Sequence, residues 1–112
     1  MRNTIYKKVK KNNRNVTHIK CELYYSLGGY NVFTYKQEPR GYYVSVTPVE
    51  RQEWDGRVME SVVAFSGYKE CIHEVTRKSK KAFAVARELA DGVINVLVQA
   101  ILNKYGYELE GE

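Results

Sequence analysis

"VTHIKCELYYSLGGYNVFTYKQEPRGYYVSVTPV", residues Val16 to Val49, decides the fold of this chain. Thr17, Ile19, Cys21, Leu23 and Tyr25 fall on one side of an extended backbone, and His18, Lys20, Glu22 and Tyr24 on the other. That period of two marks a half-buried antiparallel strand. "SLGG", residues 26–29, supplies a hairpin turn because glycine tolerates positive φ, and "YNVFTYK" reads as the return strand. "QEPRG" closes a second hairpin, with Pro39 presetting one turn position and Gly41 ending it. "GYYVSVTPV" is the next strand, with Tyr42, Val44 and Val46 on one side and Tyr43, Ser45 and Thr47 on the other. Pro48 lacks a ladder donor, so pairing is expected to weaken near it.

Upstream, "TIYKKV" (residues 4–9) reads as a short first strand and "KKNNRN" (10–15) as a loop. Downstream, "ERQEWDG" is a polar connection with an Asp-Gly turn, and "RVMESVVAFSG" a further strand ended by Gly67. Residues 68–78 stay open: Tyr68, Cys71, Ile72 and Val75 follow helical spacing, yet "KECIHEV" also reads as extended. Ser79 is a natural N-cap. Phe83, Ala86, Ala90, Val93, Leu97, Ala100 and Ile101 then recur at steps of three and four, and Val85, Leu89 and Val96 broaden the stripe. The spacing predicts a helix from Lys80 to Lys104, ended by Gly106. The expected fold class is α+β, an antiparallel meander of four to five strands packed against a long C-terminal helix that covers one sheet face.

A length of 112 residues fits a single domain, 1–112. Within it, 1–15 form a basic, partly flexible segment and 108–112 an acidic tail. An apolar fraction of 44% with 28% charged excludes wholesale disorder. No apolar run approaches the ~20 residues that span a bilayer, and the first fifteen residues lack the apolar centre of a secretory signal. A cytoplasmic protein is expected, with no membrane partner. Cys21 and Cys71 fit free thiols in apolar patterns.

The net charge of +5 is uneven. Lys7, Lys8, Lys10, Lys11 and Arg14 form one basic patch, Arg77, Lys78, Lys80 and Lys81 a second. Glu108, Glu110 and Glu112 reverse the sign at the C-terminus. Such clusters attract polyanions or acidic protein faces; a merely solubilising surface is the plain alternative.

Signals for catalysis are absent. His18 and His73 stand near no Gly-x-Ser-x-Gly elbow, and no phosphate loop or dinucleotide fingerprint occurs. Two His and two Cys are zinc-type ligands, but His18 and Cys21 point to opposite faces of a strand. Glu50, Glu53 and Asp55 sit in a polar segment where carboxylates are ordinarily solvated. The expectation is a non-enzyme with no metal and no cofactor.

Binding is the better expectation. Six of the ten tyrosines lie in residues 24–46, and alternation sends Tyr24 and Tyr25, like Tyr42 and Tyr43, to opposite faces. Some must stand on the open face near Lys20, Lys36 and Arg40. The candidate contact residues are Tyr24, Tyr30, Tyr35, Arg40, Tyr43 and Trp54, since aromatic rings with polar tips suit interfaces. Ordinary β-propensity explains the same tyrosines without any partner. "RGYYVSV" also partly resembles the aromatic strand of RNA-recognition motifs. The strand–turn–strand order and Tyr43 at a small-residue position depart from that fold.

Leu27–Phe33, Arg40–Val49 and Ser66–Cys71 ("LGGYNVF", "RGYYVSVTPV", "SGYKEC") together resemble a family of small phage and conjugative-element proteins of gut bacteria. A similar group is associated with type II-A anti-CRISPR activity. The resemblance, over about residues 16–104, implies a cytoplasmic inhibitor in a bacterial host that binds an RNA-guided type II nuclease or its guide-RNA complex, blocking DNA binding or cleavage. A net positive charge departs from a DNA mimic, so contact would be with an acidic or mixed protein patch, the guide RNA or the DNA. Two alternatives stand beside it. One is a single-stranded nucleic-acid-binding module using exposed tyrosines and basic residues. The other is a homodimeric structural protein pairing through its open sheet face or spare apolar helix positions.

Overall fold

The computed structural model describes residues 3–63 and 66–111. Among them run β1 (Asn3–Lys8), β2 (His18–Ser26), β3 (Gly29–Asn31), β4 (Lys36–Glu38), β5 (Gly41–Trp54), β6 (Arg57–Val62), β7 (Tyr68–Glu74) and α1 (Lys80–Tyr105). The fold is α+β, an antiparallel sheet under one long C-terminal helix. In the order β1-β2-β5-β6 successive strands pair, as a meander does, and β7 returns to β5. β5 is the spine. Gly41–Val46 pair with β7 and Val49–Trp54 with β6, so the partner changes at Thr47–Pro48, where the missing proline donor breaks the ladder least. The strand does not end there: "ERQEW" extends β5, and the polar connection shrinks to Asp55-Gly56, both left-handed as a tight hairpin turn needs. β6 closes at Val62; Ala64 and Phe65 of the expected longer strand lie outside the described residues. Residues 68–74, which the sequence left open, are a strand whose bulge at Tyr42/Tyr43 mixes the two periods.

The return strand is corrected. β2 pairs directly with β5, Ser26 opposite Gly41, and "YNVFTYK" is no single strand. It splits into β3 and β4 around a turn at 32–35, a separate two-stranded hairpin. Residues 39–40 connect that hairpin to β5 rather than turning one sheet strand into the next.

Ile19, Cys21, Leu23, Tyr42, Val44 and Val46 form the core with α1. Ser79 caps the helix by accepting from Ala82 N–H, and left-handed Gly106 ends it. Ala82, Ala86 and Ala90 let the helix approach β5, where its Phe83 ring meets the Tyr42 ring edge-on at 5.9 Å, while Ile94, Val98, Ile101 and Leu102 fill the other half. Each large aliphatic side chain so buried contributes about 1.5–3 kcal/mol. Val85, Leu89 and Val96 do not widen this face; they are exposed. The acidic tail is tied down: Glu110 N–H donates to the Lys8 carbonyl, Lys10 N–H to that of Glu108, and Val9 bridges Leu109.

The sheet face away from the helix is partly covered by its own curl. A flat sheet would set β1 and β6 about 14 Å apart, yet Tyr6 donates to Glu60 at 2.6 Å. Lys20 donates to the same carboxylate at 2.9 Å, and the Arg51 guanidinium lies 4.3 Å over the Tyr6 ring. The Lys20 bond and then the Tyr6 bond hold the Glu60 carboxyl below its usual range. A folded pKa below the unfolded one means stability that is complete at neutral pH and lost as pH falls through the folded value. Lys20 and Tyr6 shift upward, so their share is present below about pH 10 and fades above it. Glu60→Gln should therefore flatten the fall in Tm between about pH 5 and pH 3. Differential scanning fluorimetry checks it; parallel acid limbs would show that the contact carries nothing. Glu38, held low by Lys69 and Asn31, keeps part of that limb in the variant.

Candidate interaction site

The β3–β4 hairpin leaves the sheet at Ser26 and rejoins it at Gly41, and its turn is built by one residue. The Asn31 side-chain oxygen accepts from the N–H of Phe33 (2.9 Å) and Thr34 (3.2 Å), and its carbonyl accepts from Tyr35 N–H (2.9 Å). Asn31 Nδ2 also donates to Glu38 (3.1 Å), whose other oxygen takes Lys69 at 2.9 Å. The hairpin is thus braced internally and pinned to β7. At its base Gly28 has φ +74, and a Cβ there would stand 2.5 Å from the Glu38 carbonyl, so the close approach needs glycine.

What this frame presents is apolar. Leu27, Tyr30, Val32, Phe33 and Tyr35 are 68%, 60%, 63%, 79% and 80% exposed. Tyr35 also has φ +58. A bulky side chain rarely occupies the left-handed region, and such strain collects where function demands it. Lys36 and Arg40 flank the patch, and Arg40 Nε donates to the Leu27 carbonyl at 3.3 Å.

The predicted contact residues divide into three groups. Tyr30, Tyr35 and Arg40 come together on or beside the hairpin. Tyr24 and Tyr43 are paired across β2 and β5 on the face away from the helix and stack at 5.9 Å. Tyr43, however, is only 3% exposed. Lys69 lies over its ring, its hydroxyl donates to the Pro39 carbonyl at 2.5 Å, and burial pushes its pKa up to about 12. Tyr43 seats the hairpin and presents almost no surface of its own. Trp54, 73% exposed, stands at the far end of β5, roughly 40 Å along the strand. Leu27, Val32 and Phe33 were missed because a strand reading hides every other side chain.

The two basic clusters lie at opposite ends of α1, about 38 Å apart. Arg77, Lys78, Lys80 and Lys81 surround its start, whereas Lys11 and Arg14 lie by its end, with Arg14 over the Tyr105 ring. Lys8 and Lys10 are paired with Glu110 (3.6 Å) and Glu108 (3.2 Å), and Lys78 lies over Tyr25. Lys7 is half-buried beside them. The second cluster begins beside the base of the hairpin, where Val75 N–H donates to the Arg40 carbonyl and Lys78 lies over Tyr25, whereas the first lies at the far end of α1.

Cys21 faces the helix, where burial pushes its thiol up to about 11, while Cys71 pairs with Tyr43 on the other face. His18 bonds Thr17 at 2.7 Å, and desolvation first, then Arg51, lowers its pKa. Among the described residues no three His, Cys, Asp or Glu side chains gather as a metal site, and no helix is long and apolar enough to cross a membrane. No family model, curated protein or solved structure matches the chain.

Proposed function

We propose that this protein is a non-catalytic interaction protein that docks through the β3–β4 hairpin onto another protein, and that an RNA-guided type II nuclease of a bacterial host is its target. The observation that carries the docking reading is the braced apolar patch of Leu27, Tyr30, Val32, Phe33 and Tyr35. Large apolar side chains exposed together on one braced hairpin of a small domain are a basis for an interaction site, and aromatic anchors on a pre-ordered turn bind with little further loss of conformational freedom. The nuclease rests on the sequence resemblance alone. Direct nucleic-acid contact is less favoured, because Tyr43 is buried, Lys8 and Lys10 are ion-paired with the acidic tail, and the N-terminal basic cluster lies at the far end of α1 from the hairpin.

The test is target-DNA cleavage by a guide-loaded type II nuclease, with the protein added before the DNA at one and ten equivalents. Inhibition near stoichiometry, holding at moderate salt, is the expected result. Affinity for single-stranded DNA or RNA that falls log-linearly with salt, without inhibition, would replace this reading with the nucleic-acid-binding one.

A further inference from the structure

The solvent face of α1 carries a second apolar pattern that the fold does not use. Val85, Leu89, Gly92 and Val96 are spaced by four, three and four residues, the seam of a heptad repeat. Val85, Leu89 and Val96 are 39%, 48% and 68% exposed, on a helix whose opposite face already fills the core. Gly92 is the independent observation. It sits mid-helix without positive φ, and a Cβ placed on it would meet nothing within 4 Å. Glycine there costs the helix about 1 kcal/mol relative to alanine, and the isolated chain offers no reason for it. A helix approaching from outside does.

We infer that a second copy of this chain docks on α1 antiparallel, with Leu89 of each copy seated on Gly92 of the other. In that register residue numbers facing each other sum to 181, so Val85 meets Val96 of the second copy and all four seam positions are filled. Glu88 then falls beside Asn95, a carboxylate beside an amide, and no like charges are opposed. The seam, Val85 to Val96, spans twelve residues, about 17 Å end to end, shorter than a standard interface requires. The dimer is therefore weak and reversible, with Kd on the order of micromolar to tens of micromolar. This surface lies on the helix, apart from the β3–β4 hairpin, and leaves that hairpin available in both copies.

Sedimentation equilibrium of the full chain from a few to several hundred micromolar tests it. The expected mass rises from 13.0 kDa toward twice that value, and Leu89→Glu keeps it at 13.0 kDa throughout with an unchanged circular dichroism spectrum. If that variant misfolds, Val96→Lys at a more exposed position serves instead. Gly92→Ala gives the discriminating result: Tm measured on dilute protein rises by several degrees, while dimerisation weakens at least tenfold. A single mass of 13.0 kDa at every concentration would overturn the inference. So would a dimer that survives Leu89→Glu or strengthens in Gly92→Ala.

Discussion

Gly41→Ala will destabilise the domain by about 3 kcal/mol or more, the upper end of what single substitutions do. A Cβ at Gly41 would overlap the His73 carbonyl oxygen and lie 2.8 Å from Glu74 Cα and 3.0 Å from the His73 carbonyl carbon. All three are backbone atoms, so no rotamer change relieves the clash. Gly41 is where β5 meets Ser26 of β2 and Glu74 of β7 at once, so one added methyl group must push the spine of the sheet away from a neighbour. Tyr42 follows directly, 2% exposed and packed on Tyr25 at 5.3 Å and Phe83 at 5.9 Å. Displacement there spreads into the core, where close packing tolerates little adjustment. Urea denaturation of the purified variant checks it, with Gly56→Ala as the control. Gly56 is left-handed but uncrowded, so that change should cost only about 1–2 kcal/mol. Equal losses at the two positions would mean that backbone conformation, and not the β5–β7 approach, governs Gly41.

The same stretch shows where sequence reading succeeds and where it stops. The helix was legible almost to the residue, because N-cap Ser79, the three-four spacing and Gly106 all act locally. Alternation also put Tyr24 and Tyr25, and Tyr42 and Tyr43, on opposite faces, as they are; which of them pair across strands came only with the register. The hairpin excursion was not legible. "YNVFTYK" has strand-forming residues throughout, and only the Asn31 side chain, capping two N–H groups across the turn, makes it a loop. The distinction between Tyr35, 80% exposed, and Tyr43, 3% exposed, depends on where Pro39 and Lys69 come to rest. Such contacts join residues far apart in the chain, beyond any local period. The curl that brings Tyr6 to Glu60 is a third such case, since it accumulates strand by strand. Charge misled for a related reason: basic segment and acidic tail are separate runs in sequence but ion-paired neighbours in space.

Phe33→Ala combined with Tyr35→Asn should leave the fold intact and remove the binding. Both side chains are about four-fifths exposed and outside the core cluster. Asparagine tolerates the left-handed backbone that Tyr35 occupies at φ +58, so Tm should stay level or rise slightly. Binding should behave oppositely. Aromatic anchors at interface centres are worth ~2 kcal/mol or more each, so, on the proposed function, the pair should weaken inhibition of the type II nuclease at least about 100-fold, or about 2.8 kcal/mol. Tyr43→Ala is the instructive contrast. It removes the seat beneath the hairpin, including the hydroxyl bond to Pro39, and should weaken binding only together with a drop in Tm. Thermal unfolding and an inhibition titration on the same samples separate the two cases. A double variant that inhibits as well as the parent would remove the hairpin from consideration. Trp54, isolated at the other end of β5, would then become the aromatic surface to change next.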